Sequence, residues 1–452
     1  MPPRTSKTTA LRVAVLADSD TRWKWGALTA RRLTTGAPDA SRAAERPVEI
    51  SGLLLRGRAT PTPRQLAEVG DVGIETGRVR EVTAVEFLDT VRNEGYDLVV
   101  LALVGGAVQA MLHGIAALRQ DVRPVVVTGY VGVVYEKLAD GLLLRHGADV
   151  VLANSRHDAE RFRAVYEGVG ADASAVTEAA LPFLGGAPHR PQEGRDTVVF
   201  AAQPSVPASR ADRTYLLRRL VEHARLHPDR EVLLKLRSKP GEHTTHIEEL
   251  PYQRLAEKLP GGLPPNFSLV YGHMGEVLDR TDLLVTVSST AALESLHRRI
   301  PTAILTDLGV RETLGNHHFI GSGLLTSWDR LDGGSHPEPD EKWLAGQGVA
   351  ADGTYDTAYD TARARVGALL AEDRLPALTP YYTPATAPGY LPGILARHHL
   401  APDGHPLPGA AAPRETGGVR GAVRDAVREA ARGAYRQGVQ RVAPVIRRMG
   451  EL

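Results

Sequence analysis

Residues 282–296 read DLLVTVSSTAALESL, and the fold is decided there. Leu283–Val287 is a short, nearly continuous apolar run, which predicts a strand buried on both faces. Ser288, Ser289 and Thr290 end the run, Ala291–Arg298 has helical spacing, and Thr302–Thr306 is apolar again. Strand, crossover helix and strand in that order make a parallel βαβ unit.

The unit repeats outward. Upstream come strands at Thr197–Ala201, Glu231–Leu236 and Ser268–Tyr271, with helices at Asp212–Leu226, Tyr252–Leu259 and Glu276–Arg280. Before a Gly/Pro-rich stretch at 185–194 lies a first series. Its strands are Arg12–Ala17, Val48–Leu55, Leu98–Val104, Pro124–Thr128 and Asp149–Ala153; its helices are Trp25–Leu33, Glu86–Gly95, Val108–Leu118 and Asp158–Tyr166. The expected fold is α/β: two Rossmann-like, doubly wound parallel-sheet domains, residues 10–190 and 195–373, facing across a cleft. Nine prolines between Pro376 and Pro413 predict an extended arm over 374–417. In the last stretch, 418–449, Arg420, Arg424, Arg428, Arg432 and Arg436 recur every fourth residue, the pattern of a basic amphipathic helix.

Composition narrows the function. A net charge of +1 and 5% aromatic residues argue against a nucleic-acid binder. The absence of cysteine removes thiolate zinc sites and cysteine nucleophiles. The apolar stretch before Asp18 is too short for a secretory signal. Leu98–Leu112, broken by glycines and Gln109, falls short of the ~18–20 residues of a spanning helix. The expected location is cytoplasmic, with the arginine stripe either solvated beside Asp425 and Glu429 or lying on anionic lipid at the inner face of the membrane.

Ligands of open parallel sheets bind beyond the carboxyl ends of the strands, so the loops there carry the chemistry. None holds G-x-G-x-x-G or a Walker loop, which disfavours a dehydrogenase or a P-loop ATPase. Ser288, Ser289 and Thr290 at a helix start suit a phosphate, although a single N-cap would also use one hydroxyl. The run 282–296, followed by Arg299-Ile-Pro-Thr302, resembles the donor lobe of GT-B glycosyltransferases. It is particularly similar to the Ser-Ser motif of bacterial polysialyltransferases and teichoic-acid polymerases. Over residues ~10–390 the chain also resembles a group of actinobacterial glycosyltransferases predicted from sequence.

The resemblance implies that Ser288, Ser289 and Thr290 contact donor phosphate and that Glu294 holds ribose hydroxyls. The polysialyltransferase type carries a His-Pro that this chain replaces with Lys235-Leu-Arg-Ser-Lys-Pro-Gly-Glu-His243. Lys235 and Arg237 share a facing parity and can neutralise phosphate or a sugar carboxylate, or form a solvated loop with Glu242. His243 joins the donor set; with His246 it lacks a third metal ligand, so no metal and no obligatory cofactor are expected. Gly272 and His273 would flank the base or phosphate, and Asn316 and His317 the sugar. In the first domain Asp18 and Asp20 are either helix caps or candidate general bases, with Glu136 in reserve. Trp23 or Trp25 and Lys24 would meet a sugar, and Gly129 and Gly132 would let backbone approach it. Gly105 and Gly106 read as a third cleft loop or as close helix packing.

The expected activity is sugar transfer from a nucleotide-sugar to a glycan, polyol-phosphate or lipid-linked acceptor in cell-surface polymer synthesis, with a CMP-activated acidic sugar favoured by the resemblance. The alternatives are a UDP-sugar epimerase or hydrolase, or a non-catalytic nucleotide-sugar-binding protein, on the same fold.

Overall fold

The computed structural model describes residues 10–35, 47–57, 59–70, 72–74, 79–118, 123–133, 137–239, 250–349 and 354–409. Glu136, His243 and the arginine stripe of 420–436 lie outside them.

The first lobe alternates β1 (Leu11–Ala17), α1 (Asp20–Thr34), β2 (Val48–Leu55), α2 (Pro63–Glu68), β3 (Arg80–Val82), α3 (Ala84–Glu94), β4 (Leu98–Ala102), α4 (Gly105–Ala117), β5 (Val125–Gly129), α5 (Leu138–Leu143), β6 (Val150–Ala153), α6 (Arg156–Gly168) and β7 (Val176–Glu178). All pairs are parallel, in the order β3-β2-β1-β4-β5-β6-β7. The second lobe runs β8 (Thr197–Ala201), α7 (Arg210–Leu226), β9 (Glu231–Lys235), α8 (Tyr252–Ala256), β10 (Phe267–Val270), α9 (Met274–Leu278), β11 (Leu283–Thr286), α10 (Ala291–His297), β12 (Thr302–Leu305), β13 (Leu325–Thr326), α11 (Trp328–Asp332) and α12 (Glu341–Ala345). Its parallel sheet has the order β10-β9-β8-β11-β12-β13. In both sheets the order reverses beside the first strand of the lobe, so each has a switch point, at β1/β4 and β8/β11. The central strands β4, β5, β6, β8, β11 and β12 are buried along their whole length because helices cover both faces, which is why they read as unbroken apolar runs.

Local signals set the helix ends. Thr83 and Glu86 form a capping box on α3, and Gly95 closes that helix in the left-handed region at φ 62°. α1 starts earlier than the apolar spacing indicates, and its cap is Ser19, whose hydroxyl accepts the Arg22 N–H; neither Asp18 nor Asp20 caps it.

The chain after β13 does not stay on the second lobe. α13 (Asp360–Ala371) packs on α1, β5, β6 and β7, and the Tyr355 and Tyr359 hydroxyls donate to Leu181 O and Ala180 O at 2.8 and 2.7 Å. The proline-rich arm is not wholly extended either: it contains α14 (Leu391–Ala396), with Pro392 in the first turn where a missing N–H costs nothing. Leu378, Leu391, Ile394, Leu395 and Leu400 join the core of the first lobe. Residues expected to close the second domain therefore tie back to the first.

Candidate functional site

The two lobes meet at the carboxyl ends of their sheets. Lys235, the last residue of β9, is 8% exposed, and Nζ donates to Leu236 O at 2.7 Å. Burial drives its pKa down from 10.5 to about 8; Arg237 and Arg64 push the same way, and Glu68 and Glu294 oppose them. Arg64 and Glu68 belong to α2 of the opposite lobe. Two residues on, Arg237 reaches across to donate to Asp20 Oδ1 and Thr21 Oγ1 at the start of α1.

Glu294 on α10 is buried, and burial raises its carboxyl pKa against the opposing charges of Lys24, Arg298 and Lys235. Its ion pair with Lys24 of α1 is long, 4.0 Å, and Lys24 Nζ also lies 4.9 Å from the Phe183 ring centroid. His273, at the cap of α9, sits against Gly70 of the first lobe, where a methyl would lie 3.4 Å from its Cδ2. Burial first, then Lys24, Arg298 and Lys235, hold the His273 imidazole below its ordinary pKa, with Glu276 opposing. Gly272 before it has φ 93°, a left-handed turn that suits only glycine without strain.

The three hydroxyls of the 288–290 turn have different environments. Ser288 is 1% exposed and donates to Leu314 O at 2.5 Å, so it is a strut within the lobe. Ser289 Oγ accepts the Ala291 N–H at 3.2 Å. Thr290 makes no capping bond, and its Oγ1 faces the first lobe, where a methyl on Gly132 would lie only 3.0 Å from it. α10 has seven residues, so its dipole is short and the cations beside it supply most of the positive field. Gly132 is held in place by a residue the sequence did not flag: buried Asn154, whose Nδ2 donates to Tyr130 O and Gly132 O at 2.8 and 3.0 Å.

Other expected site residues serve the framework. Trp23 and Trp25 are both 1% exposed, their rings packed against Gly52 and Gly129, so neither offers a face to a sugar. A methyl on Gly129 would lie 2.8 Å from Trp25 Cζ2; its smallness serves that ring, as Gly105's serves Leu144. Asn316 is fully buried, donating to Leu305 O and Gly309 O and accepting the Arg311 N–H, so it shapes the loop after β12. His317 follows it, half-buried, its Nδ1 without a hydrogen bond.

Asp18 and Asp20 differ in kind. Asp18 accepts the Val104 N–H at 2.9 Å and Arg22 Nη1 at 3.0 Å, suturing the ends of β1 and β4 at the switch point. Burial alone would raise the Asp20 pKa; Arg237, by charge and hydrogen bond, and Thr21 outweigh it, so the carboxyl lies below its ordinary 3.8. Here Asp20 is an inter-lobe latch, and it is free to take a proton only when Arg237 lets go.

Among the described residues, His223, His227 and Asp332 form a cluster of metal-ligating type. Arg230 donates to His223 Nε2 at 3.0 Å, so the ring's proton is on Nδ1, which donates to Asp332 Oδ1 at 2.6 Å. That tautomer closes the nitrogen a metal would need. No described helix is long and apolar enough to cross a membrane.

Residues 13–369 match the model of a protein family described as "Putative glycosyltransferase (DUF6716)". No curated protein matches the chain. Among solved structures it is similar to MnaA of S. aureus, solved with UDP, at 12% identity over 81% of this chain and 99% of that one, TM-score 0.49. It is similar to the glycosyltransferase SnogD of Streptomyces nogalater at 17% identity over 82% and 97%, TM-score 0.41. The UDP-GlcNAc 2-epimerase of Neisseria meningitidis, bound to UDP-GlcNAc, shares 9% identity over 79% and 99%, TM-score 0.46.

Proposed function

This chain belongs to the family described as "Putative glycosyltransferase (DUF6716)", and from that premise we propose that it transfers a sugar from a nucleotide-sugar donor held between its lobes. The observation that carries the reading is the pair of buried, oppositely charged groups on the second lobe, Lys235 and Glu294, which form no ion pair with each other and face α1 and α2. Burying Lys235 with only the Leu236 carbonyl, and Glu294 with only the long Lys24 pair, is costly, and a ligand with an anion and hydroxyls would satisfy both. Donor phosphate is assigned to Lys235 and Thr290, with Ser289 beside them and Arg237 once released from Asp20. Glu294 accepts from the ribose hydroxyls. As the glycosidic bond breaks, charge grows on the departing phosphate, and these preformed donors stabilise it there.

A CMP-activated acidic sugar suits the cations, one for a single phosphate and one for a carboxylate; the acceptor is a glycan or polymer of the cell surface. Thermal shifts with CMP, CDP, UDP, GDP and their sugars test this, since a ligand selective for the folded state adds about 2.7 kcal/mol at a hundredfold excess over Kd. We expect one nucleotide class to raise the Tm and its sugar conjugate to be consumed in the presence of an acceptor. Consumption of a UDP-sugar without acceptor would replace transfer by epimerisation or hydrolysis, and no shift with any nucleotide would end the donor reading.

A further inference from the structure

The start of α1 fastens the first lobe to the second. Asp20, Thr21 and Lys24 lie within about one turn of each other, and all three meet groups across the cleft: Arg237 donates to Asp20 Oδ1 and Thr21 Oγ1, and Lys24 pairs with Glu294. The two ion pairs differ in kind. Lys24 and Glu294 stand 4.0 Å apart, beyond hydrogen-bond reach, whereas Asp20 and Arg237 form a charge-assisted hydrogen bond with Thr21 accepting beside it.

The tighter pair is built to exchange. Among the described residues both bonds of the Arg237 guanidinium leave from Nη2, so the rest of its fork of N–H donors is uncommitted. Its side chain is 28% exposed, and an anion in the cleft can reach it while Asp20 is still bound. Asp20 would not be left bare by the loss. The Thr21 N–H donates to its Oδ1 at 2.7 Å, and the first turn of α1 is the end of a helix that favours a carboxylate. Two residues before Arg237, Lys235 Nζ donates to the Leu236 carbonyl, and among the described residues no carboxylate is bonded to it. One cation of the cleft is thus held by a protein carboxylate, and its neighbour is held by none.

We propose that Asp20 is an internal stand-in for the donor's anion: in the ligand-free protein it occupies Arg237 and fastens the lobes, and an anionic group of the donor displaces it. Arg237 then passes from the protein carboxylate to the ligand, and Asp20 is released into the cleft. The proposal rests on the nucleotide-sugar reading and adds a regulation to it. The exchange is of ion pairs alone, with no covalent change. The displacing anion is the donor's phosphate or, for an acidic sugar, its carboxylate. Binding is opposed by the latch, so the apparent affinity is the intrinsic affinity reduced by the fraction of molecules in which Arg237 is free.

Two measurements on the full-length protein test the exchange. The first is calorimetry with CMP, CDP, UDP and GDP, which carry phosphate, and with N-acetylneuraminate, which carries a carboxylate alone. Asp20→Asn keeps an acceptor for the Thr21 N–H but leaves Arg237 without its counter-charge, so the variant should bind the displacing anion roughly 3–30-fold more tightly than wild type. A gain with the nucleotides assigns Arg237 to phosphate, and a gain with the sugar acid alone assigns it to the carboxylate. Removing a negative charge favours any nearby anion, so the same substitution is also made in Arg237→Gln. There the gain should shrink to less than about twofold, because the two residues act as one unit. An equal gain in both backgrounds, or none in either, overturns the exchange.

The second measures distances between spin labels by pulsed electron resonance. The chain has no cysteine, so Asn93→Cys on α3 and Arg218→Cys on α7, both exposed, place one label on each lobe. Without ligand, Asp20→Asn should broaden the distance distribution of the labelled parent; identical distributions overturn the latch. If no anion binds either the parent or Asp20→Asn, the nucleotide-sugar reading fails and the exchange with it, while the distances still decide whether Asp20 and Arg237 hold the lobes together.

Discussion

Replacing Lys235 with methionine is expected to stabilise the ligand-free protein and to weaken nucleotide binding. The stability side follows from linkage. The Lys235 pKa is about 8 in the folded chain against an ordinary 10.5, so between those values the unfolded chain binds more protons and stability rises with pH. The cost of the buried charge is therefore fully present below pH 8, fades between pH 8 and 10.5, and is gone above 10.5. The distance from 10.5 to about 8, at about 1.4 kcal/mol for each pH unit, sets that cost at about 3.5 kcal/mol. Methionine removes it and keeps the aliphatic packing, but loses the hydrogen bond to Leu236 O, worth about 1 kcal/mol. The net gain is about 2–3 kcal/mol at pH 7, read as a higher urea midpoint.

Binding should change in the opposite sense. A charge-assisted bond to phosphate is worth about 1.5–3 kcal/mol, so the variant should bind the best nucleotide of the thermal-shift panel roughly 10–150-fold more weakly by calorimetry. Wild type offers an internal check. With a pKa of about 8, the lysine loses its proton between pH 7 and 9, and affinity should fall roughly tenfold across that range if only the cation binds. A less stable Lys235→Met variant with unchanged affinity would refute the argument, because the lysine would then be structural. A wild-type affinity flat from pH 7 to 9 would remove Lys235 from the phosphate site.

Three further substitutions separate ligand groups from framework. Glu294→Gln should weaken a nucleotide by about tenfold or more while leaving its 2′,3′-dideoxy analogue unaffected in calorimetry; equal losses for both would detach Glu294 from the ribose. Asp20→Asn, which loses the Arg237 pair, should cost about 1–3 kcal/mol at pH 7. Because the folded Asp20 pKa is depressed below 3.8, that advantage is held above 3.8 and lost as pH falls through the folded value, so urea midpoints of the two proteins should converge in strong acid. Trp23→Ala should cost about 3–5 kcal/mol, and Gly52→Ala should also destabilise, since its methyl would lie 2.5 Å from Trp23 Cη2. A Trp23→Ala protein of normal stability that had lost only transfer would return that ring to the sugar.

The parts of the fold that the sequence reveals are those where one physical rule acts alone. Leu98–Ala102 and Leu283–Thr286 are apolar because both sheet faces are covered, and nothing else in the chain produces such runs. β3, β7 and β13 have three, three and two residues, too few for any period to show, and they are absent from the sequence-based strands. At the cleft, the positions of Lys235 and Arg237 are legible because cations at the carboxyl end of a buried strand must point out of the sheet's core. The tryptophans misled for the opposite reason: beside Asp18, Asp20 and Lys24 they sit in a polar context, yet the first turns of α1 bury Trp23 and Trp25 against Gly52 and Gly129, partners 29 or more positions away. Ser288 and Asn316 likewise carry polar groups used wholly within the lobe, and no local pattern distinguishes such a strut from a ligand contact.

The arm shows why the second half of a two-lobed chain is harder to read than the first. Its composition indicates what it cannot form, since prolines exclude long helices and strands, but not where it goes. Leu378, Leu391, Ile394, Leu395 and Leu400 are the informative residues, because apolar groups on an otherwise irregular segment must find a core, and the core they join is that of the first lobe. Once they dock, α14 lies over the amino end of α4, with Ile394 set against Gly106. A segment that sequence reasoning treats as wrapping is thus anchored in the first lobe, and any motion that separates the lobes must either carry the arm with the first lobe or strip five buried apolar side chains from it. At roughly 1.5–3 kcal/mol for each such side chain, the first course is far less costly, so the arm should move with the first lobe in any displacement of the second.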